Sequence, residues 1–419
     1  MENAATRGQS QALAAIAAMV RGPVPHAVLL TGPASSGKTT LALDLAAGLL
    51  CGDPDPDARP CRSCRGCRQV AGGNHPDIHC LAPEGPGGQI RIGDPEKPEP
   101  GTVRRLISEL ALLAMEGGAR VAIVEQAHRL NDDAQNALLK LLEEPPAGVT
   151  IVLCADDEER LLPTVRSRCA RVRLGLVSGR EIERWLGELG VADAPAAARF
   201  ARLAGGAPGL ALAYARAPEA ARIRGEVSRA LLDMLAQGRQ ERLAAVRTLM
   251  TSAGALERAL AEGRRAAQAP DEGTTRVASR GRKTAARGRT AAASGRRPAP
   301  DPDQAADRPP DDEAPKATAS DRRAAAASLL TIWASVARDL AVAGLDGRRQ
   351  LHDPELVDEL AAAGASLAPG AMAAFLERLE GIAAQLQDNV NPELALDVLA
   401  LSWPRPAARR GRAAPVAAG

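Results

Sequence analysis

Apolar residues in this chain come in two alternating forms, short unbroken runs and longer stretches at helical spacing. His26-Ala27-Val28-Leu29-Leu30, Asp77 to Leu81, Ala119 to Glu125 and Thr150 to Cys154 are too short for helices. Their apolar residues run on without alternation, the pattern of strands covered on both faces. Between them, Gln9 to Val20, Thr39 to Leu50, Thr102 to Met115 and Asp132 to Glu143 carry helical periodicity. Val103, Leu106, Leu110 and Leu113 fall on one face of the third, and Pro145-Pro146 ends the fourth. A last short strand is expected around Val172 and Leu174. Strands alternating with helices predict a parallel sheet with right-handed crossovers, an α/β domain over residues 1–176.

From Ser178 onward the pattern is helical only. Glu181 to Leu189 and Ala194 to Leu203 precede a Gly205-Gly206-Ala207-Pro208-Gly209 turn that opens another helix, a small helical lid over residues 177–222. A second helical domain is expected over 223–403. Within it, residues 264–322 are nearly devoid of Leu, Ile and Val, basic in the first half and acidic in the second. Such a segment cannot bury enough surface to offset its ordering entropy, so it is expected to be a disordered insert, as is the basic tail 404–419. Helical pattern resumes from Ala324 to Ala343 and again from Glu355 through Trp403.

Composition narrows the picture. Aromatic residues are only 1% of the 419, so Ala, Leu and Val must build the cores. A net charge of +2 leaves nucleic-acid contact to local patches rather than to the whole chain. No unbroken apolar run approaches the ~20 residues that span a bilayer, and Met1 to Ser10 lacks an apolar signal core. The expectation is a cytoplasmic protein without a membrane partner. Seven cysteines, an odd number with four clustered, point to reduced thiols and a metal rather than disulfides.

Three constellations carry chemistry. Gly32-Pro33-Ala34-Ser35-Ser36-Gly37-Lys38-Thr39 fits G-x-x-x-x-G-K-[ST] and lies between an apolar strand and a helix. In such a loop backbone N–H groups converge on phosphate oxygens at a helix N-terminus. Lys38 would reach the β- and γ-phosphates and Thr39 would ligate Mg²⁺. Gly32, Ser36, Gly37, Lys38, Thr39 and the adjoining Thr40 are the candidate contacts to ATP or ADP. Glu125, ending a buried strand, would orient Mg²⁺ through water. Gln126 beside it cannot accept a proton from an attacking water; both residues could simply cap the strand end, and for Gln126 that is the favoured reading. Second, Cys51, Cys61, Cys64 and Cys67 give C-x9-C-x2-C-x2-C, a closed tetrahedral set for structural Zn²⁺ within a module at 51–74. His75, His79 and Cys80 are nearby alternates. Third, Arg166 and Arg168 flank Ser167 before the last strand. Each is either a solvated surface arginine or a group offered to a neighbour's phosphate.

In order, the P-loop, the cysteine insert after its helix, Asn136-Ala137-Leu138-Leu139-Lys140-Leu141-Leu142-Glu143-Glu144-Pro145-Pro146 and Ser167-Arg168-Cys169 resemble the AAA+ clamp-loader subunits of bacterial DNA polymerase III. The resemblance is strong over residues 1 to about 215 and returns at Asn391-Pro392-Glu393-Leu394-Ala395-Leu396, similar to the final helix of the family's collar domain. It implies an AAA+ P-loop domain with a zinc insert, a helical lid and a helical collar. The family has a motor (gamma/tau) branch and a stationary one. The motor's acidic Walker B residue, sensor 1 threonine and sensor 2 arginine correspond here to Gln126, Ala155 and Pro208, which resembles the stationary branch; the intact P-loop leaves the motor as the alternative. The resemblance further implies a five-subunit ring with gamma/tau and delta subunits. Arg168 would be a finger supplied in trans to a neighbour's ATP, with little or no ATPase in the chain itself. As part of the polymerase III holoenzyme, the ring would place the sliding clamp on primer-template DNA.

Overall fold

The computed structural model describes residues 1, 3–83, 88–116, 118–268, 318–343, 345, 351–353, 355–387 and 390–406. The N-terminal part runs α1 (Ser10–Arg21), β1 (Ala27–Thr31), α2 (Lys38–Leu49), α3 (Arg65–Ala71), β2 (Ile78–Leu81), α4 (Val103–Leu110), β3 (Arg120–Val124), α5 (Asp132–Glu143), β4 (Val149–Ala155), α6 (Pro163–Arg166) and β5 (Ala170–Arg173). The strands form one sheet in the order β2-β3-β4-β1-β5, parallel at every pairing. All residues of β1, β3 and β4 are buried. Because successive side chains leave a strand on opposite faces, those strands feed two cores. Leu29, Ala122, Val124, Ile151 and Leu153 pack with α4 and α5. Val28, Leu30, Val121, Ile123 and Val152 pack with α1 and α2.

The helical part follows as α7 (Gly179–Glu188), α8 (Ala194–Leu203), α9 (Pro208–Arg216), α10 (Pro218–Asp233), α11 (Arg239–Gln268), α12 (Ala319–Ala343), α13 (Val357–Ala365), α14 (Ala371–Gln387) and α15 (Pro392–Ser402). One continuous core runs from Val177 through Trp403. At its centre Trp333, Phe375 and Trp403 meet with ring centroids 4.6 to 5.8 Å apart, concentrating three of the chain's six aromatics. Arg242 is almost fully buried. Its guanidinium donates to the carbonyls of Leu235, Gln237, Ala400, Trp403 and Pro404, stapling the start of α11 to the end of α15. Among the described residues α12 alone has the length and composition to cross a bilayer. Its Leu329, Ile332, Trp333, Val336 and Leu340 are instead buried in this helical core.

Two expectations change. The helix expected over Thr102 to Met115 stops at Leu110, and Leu113 is 90% exposed rather than on the buried face. The buried Arg120 takes the carbonyls of Leu110 and Leu112. The buried Asp77 carboxylate accepts from the N–H groups of Met115 and Glu116 at 2.7 and 2.9 Å. These charged partners outcompete the next helical turn. The expected disordered insert is also shorter at its ends, since residues 264–268 finish α11 and 319–322 open α12. Thr318 and Asp321 form a reciprocal capping pair there, Asp321 N–H donating to Thr318 Oγ1 at 3.1 Å and Thr318 N–H to the Asp321 carboxylate at 2.9 Å. Residues 269–317 of that insert, 84–87 between β2 and α4, and 407–419 of the tail lie outside the described residues.

Candidate functional site

The glycine-rich loop leaves the carboxyl end of β1, between β4 and β5, where open α/β sheets receive ligands. Gly32 has φ +149° and faces the Leu174 carbonyl so closely that a Cβ would collide with it. Ser35 at φ +58° and Gly37 at φ +100° turn the chain into α2. Ser36 and Lys38 are buried, Thr39 is half-buried and Thr40 is exposed. The amide of Gln9 links the loop to the segment after β5: Gln9 Nε2 donates to the Gly175 carbonyl at 2.7 Å and to the Ser36 carbonyl at 3.5 Å, and Gly175 N–H donates to Gln9 Oε1 at 3.1 Å. From the lid, Gly209 N–H at the start of α9 donates to the Ser35 carbonyl at 3.0 Å. This brings the Gly205 to Gly209 turn onto the loop.

Lys38 Nζ donates to the carbonyls of Gly32 and Pro33 at 2.9 and 2.6 Å and lies 2.6 Å from the Asp156 carboxylate. Glu125 directly follows β3, its N–H bonded to the Leu81 carbonyl at 2.8 Å, and burial pushes its carboxyl above the usual range. Gln126 is exposed in a left-handed conformation, φ +47°, where it opens a single 3-10 turn. His128 in that turn accepts the Asp156 N–H on Nδ1 at 3.1 Å, and burial pushes the imidazole pKa down. Ala155 is fully buried at the end of β4. Asp156, absent from the sequence-derived site, had one signal: an acidic residue at the carboxyl end of a strand adjacent to β1.

The four cysteines converge. The Sγ atoms of Cys51, Cys61, Cys64 and Cys67 all lie within 4.8 Å of one another, with Cys51 and Cys64 at 4.0 Å. A tetrahedral site with Zn–S bonds of about 2.3 Å requires sulfurs about 3.8 Å apart, so the donor set fits Zn²⁺. The N–H groups of Cys61, Cys64 and Cys67 point at the sulfurs of Cys51, Cys61 and Cys64, each at 3.4 Å, which favours thiolates. The Ser63 hydroxyl first, with backbone N–H groups, brings Cys61 down to about 6, while burial pushes Cys67 up. The alternates stand apart: His75 Nδ1 accepts from Asp77 N–H, His79 meets Glu109, and Cys80 is exposed. Arg62, between the second and third ligands, pairs with the buried Asp44 of α2. Asp44 also accepts from Ala5 N–H, Thr6 N–H and Thr6 Oγ1 at 2.9, 2.8 and 2.7 Å. One carboxylate therefore joins the cysteine module, the P-loop helix and the N-terminal segment.

Arg168 follows α6 and is one-third exposed. Its guanidinium donates to the Thr164 carbonyl at 2.9 Å and to the Glu143 carboxylate at 2.5 Å, partners outside the P-loop. Arg166 instead pairs with Glu159 at 2.8 Å.

A P-loop at the switch point of a five-stranded parallel sheet, with a four-thiolate cluster after its helix and the Gly205 to Gly209 turn against the loop, is the arrangement of an AAA+-type P-loop fold. Residues 8–177 match the family described as DNA polymerase III, delta subunit. The chain is 38% identical over 185 residues to DNA polymerase III subunit delta' of Pseudomonas aeruginosa, covering 44% of this chain and 53% of that protein. It is 37% identical over 198 residues to subunit delta' of Escherichia coli, covering 47% and 57%. Subunit tau of Salmonella typhimurium is 32% identical over 180 residues, covering 43% of this chain and 26% of that protein. The matches thus span about half the length of the delta' relatives.

Proposed function

We propose that this protein is the stationary delta' subunit of a bacterial clamp loader. In this reading it joins gamma/tau and delta subunits in a five-membered ring that places the sliding clamp on primer-template DNA in the cytoplasm. Arg168 then stabilises the charge on the γ-phosphate of ATP bound by a neighbour. The observation that carries the reading is the contrast between the two sites. Arg168 stands partly exposed and oriented by two acceptors. The chain's own loop has its lysine engaged internally and Gln126, which cannot act as a base, at the following strand end.

Within that reading the thiolate cluster holds Zn²⁺ as a closed structural site. Lys38, Thr39 and Glu125 would serve any ATP or ADP and its Mg²⁺. The ring contacts would fall to the helices from 223 on, where α15 leaves Leu394, Val398 and Leu401 exposed one turn apart. The intact P-loop favours the second reading, a gamma/tau-type motor.

Two measurements separate them. Arg168→Ala lowers ATP turnover of the reconstituted complex while assembly and thermal unfolding are retained, since an exposed ion pair of this kind contributes no more than about 1 kcal/mol. Unchanged turnover rejects the finger. Robust turnover by the purified chain, abolished by Lys38→Ala, would establish the motor instead.

A further inference from the structure

An ammonium group has three N–H donors. Those of Lys38 face four acceptors within the chain: the carbonyls of Gly32 and Pro33, the Ser36 hydroxyl at 3.4 Å and, closest with Pro33, the carboxylate of Asp156 at 2.6 Å. The Lys38 side chain is only 8% exposed, while Asp156 is 34% exposed, so the pair is partly buried with its open side at the carboxylate. A phosphate-loop lysine acts on phosphate as a point charge. A phosphate oxygen approaching it here meets a carboxylate already in contact, and two anions compete for one cation.

Asp156 is held from two sides. It directly follows β4, paired to β1 in register up to Thr31 and Ala155, and its N–H is bonded to His128 at 3.1 Å. Its backbone is therefore fixed beside the loop, which keeps its carboxylate within reach of Lys38. The lid adds a restraint on the loop through Gly209 and the Ser35 carbonyl.

We infer that Asp156 sets the nucleotide affinity of this loop: it is a built-in carboxylate competitor for the phosphate that Lys38 would bind, weakening ATP and ADP alike. This rests on reading the loop as a nucleotide site, not on the role of Arg168. Conversion of Asp156 removes the competitor and leaves every loop residue in place.

The test is titration of the full chain with fluorescent N-methylanthraniloyl ATP and ADP. It compares the unmodified protein, Asp156→Ala, Asp156→Asn, Lys38→Ala and the Lys38→Ala/Asp156→Ala double variant, with thermal unfolding of each. Asp156→Ala is expected to bind both nucleotides about tenfold tighter, the effect of releasing one partly buried ion pair. Asp156→Asn, which keeps the side-chain size should alanine impair folding, is expected to gain in the same direction. In the Lys38→Ala background the gain should shrink below about twofold, because competition for the lysine no longer exists. Unchanged or weaker binding by a folded Asp156 variant overturns the inference, as does a full gain that persists without Lys38. If no variant binds either nucleotide, the inference falls together with the loop's role as a nucleotide site. The finger reading, tested through Arg168 in the complex, stands or falls separately.

Discussion

Asp44→Ala tests whether the metal module and the P-loop helix are one mechanical unit. Asp44 is 1% exposed on α2. It accepts two backbone N–H groups and a hydroxyl from the N-terminal segment, and its charge is matched by Arg62. Removing one partner of a buried pair costs about 3–5 kcal/mol, because the other charge and its hydrogen-bond donors are left behind. For a domain of this size, at about 2–4 °C per kcal/mol, the melting temperature falls by roughly 6–20 °C. Arg62 is presented by the turn between Cys61 and Cys64, with its backbone at φ +59°, so its position depends on those thiolates being tied together. Once metal is chelated, Arg62 is free to solvate. The cost of Asp44→Ala should then drop to about 1–3 kcal/mol, that of the remaining bonds to a charged acceptor. The assay is thermal unfolding of the unmodified protein and Asp44→Ala, each zinc-loaded and chelated, with bound metal counted by elemental analysis. Equal losses in the two metal states would refute the coupling. Absence of metal from freshly purified protein would refute the zinc assignment itself.

Other substitutions probe the remaining parts. Arg242→Ala strips the shared donor from five carbonyls at the α11–α15 junction. Three of those bonds, to Leu235, Ala400 and Trp403, are buried, and with each orphaned buried acceptor costing about 1–3 kcal/mol a loss of at least about 3 kcal/mol in denaturant unfolding of the helical part is expected; a loss under about 1 kcal/mol would show that water replaces the guanidinium. Gly32→Ala places a methyl against the Leu174 carbonyl in a backbone conformation that L side chains rarely adopt. It is expected to displace the loop and lower both thermal stability and nucleotide binding, and wild-type behaviour in both assays would contradict the loop geometry.

Much of the architecture was legible because it rests on local rules. Three of the unbroken apolar runs became the fully buried strands β1, β3 and β4, whereas the Asp77 to Leu81 run became the edge strand β2, with only Leu81 buried because no strand covers its outer side. α5 spans Asp132–Glu143 and α8 spans Ala194–Leu203, as their periodicity predicts. Asn131 and Asp193 cap those helices through their own side chains. The C-x9-C-x2-C-x2-C spacing predicted a four-sulfur cluster, and the sulfurs meet. The exposed Leu113 shows where this reasoning stops. Helical periodicity continues through it, but Arg120 and Asp77 take the backbone groups of residues 110–116 from outside the helix.

By itself, then, the sequence determined the strand and helix order, the P-loop, the thiolate cluster and the position of Arg168 beside the last strand, all encoded in patterns of a few adjacent residues. Only the tertiary structure decided what those groups touch. Lys38 meets Asp156 across 118 positions of chain, Arg62 meets Asp44 from a separate module, and Arg168 meets Glu143 from another helix. The physical reason is that an ion pair depends on distance and burial in space, and sheet order rather than sequence spacing brings these charges together.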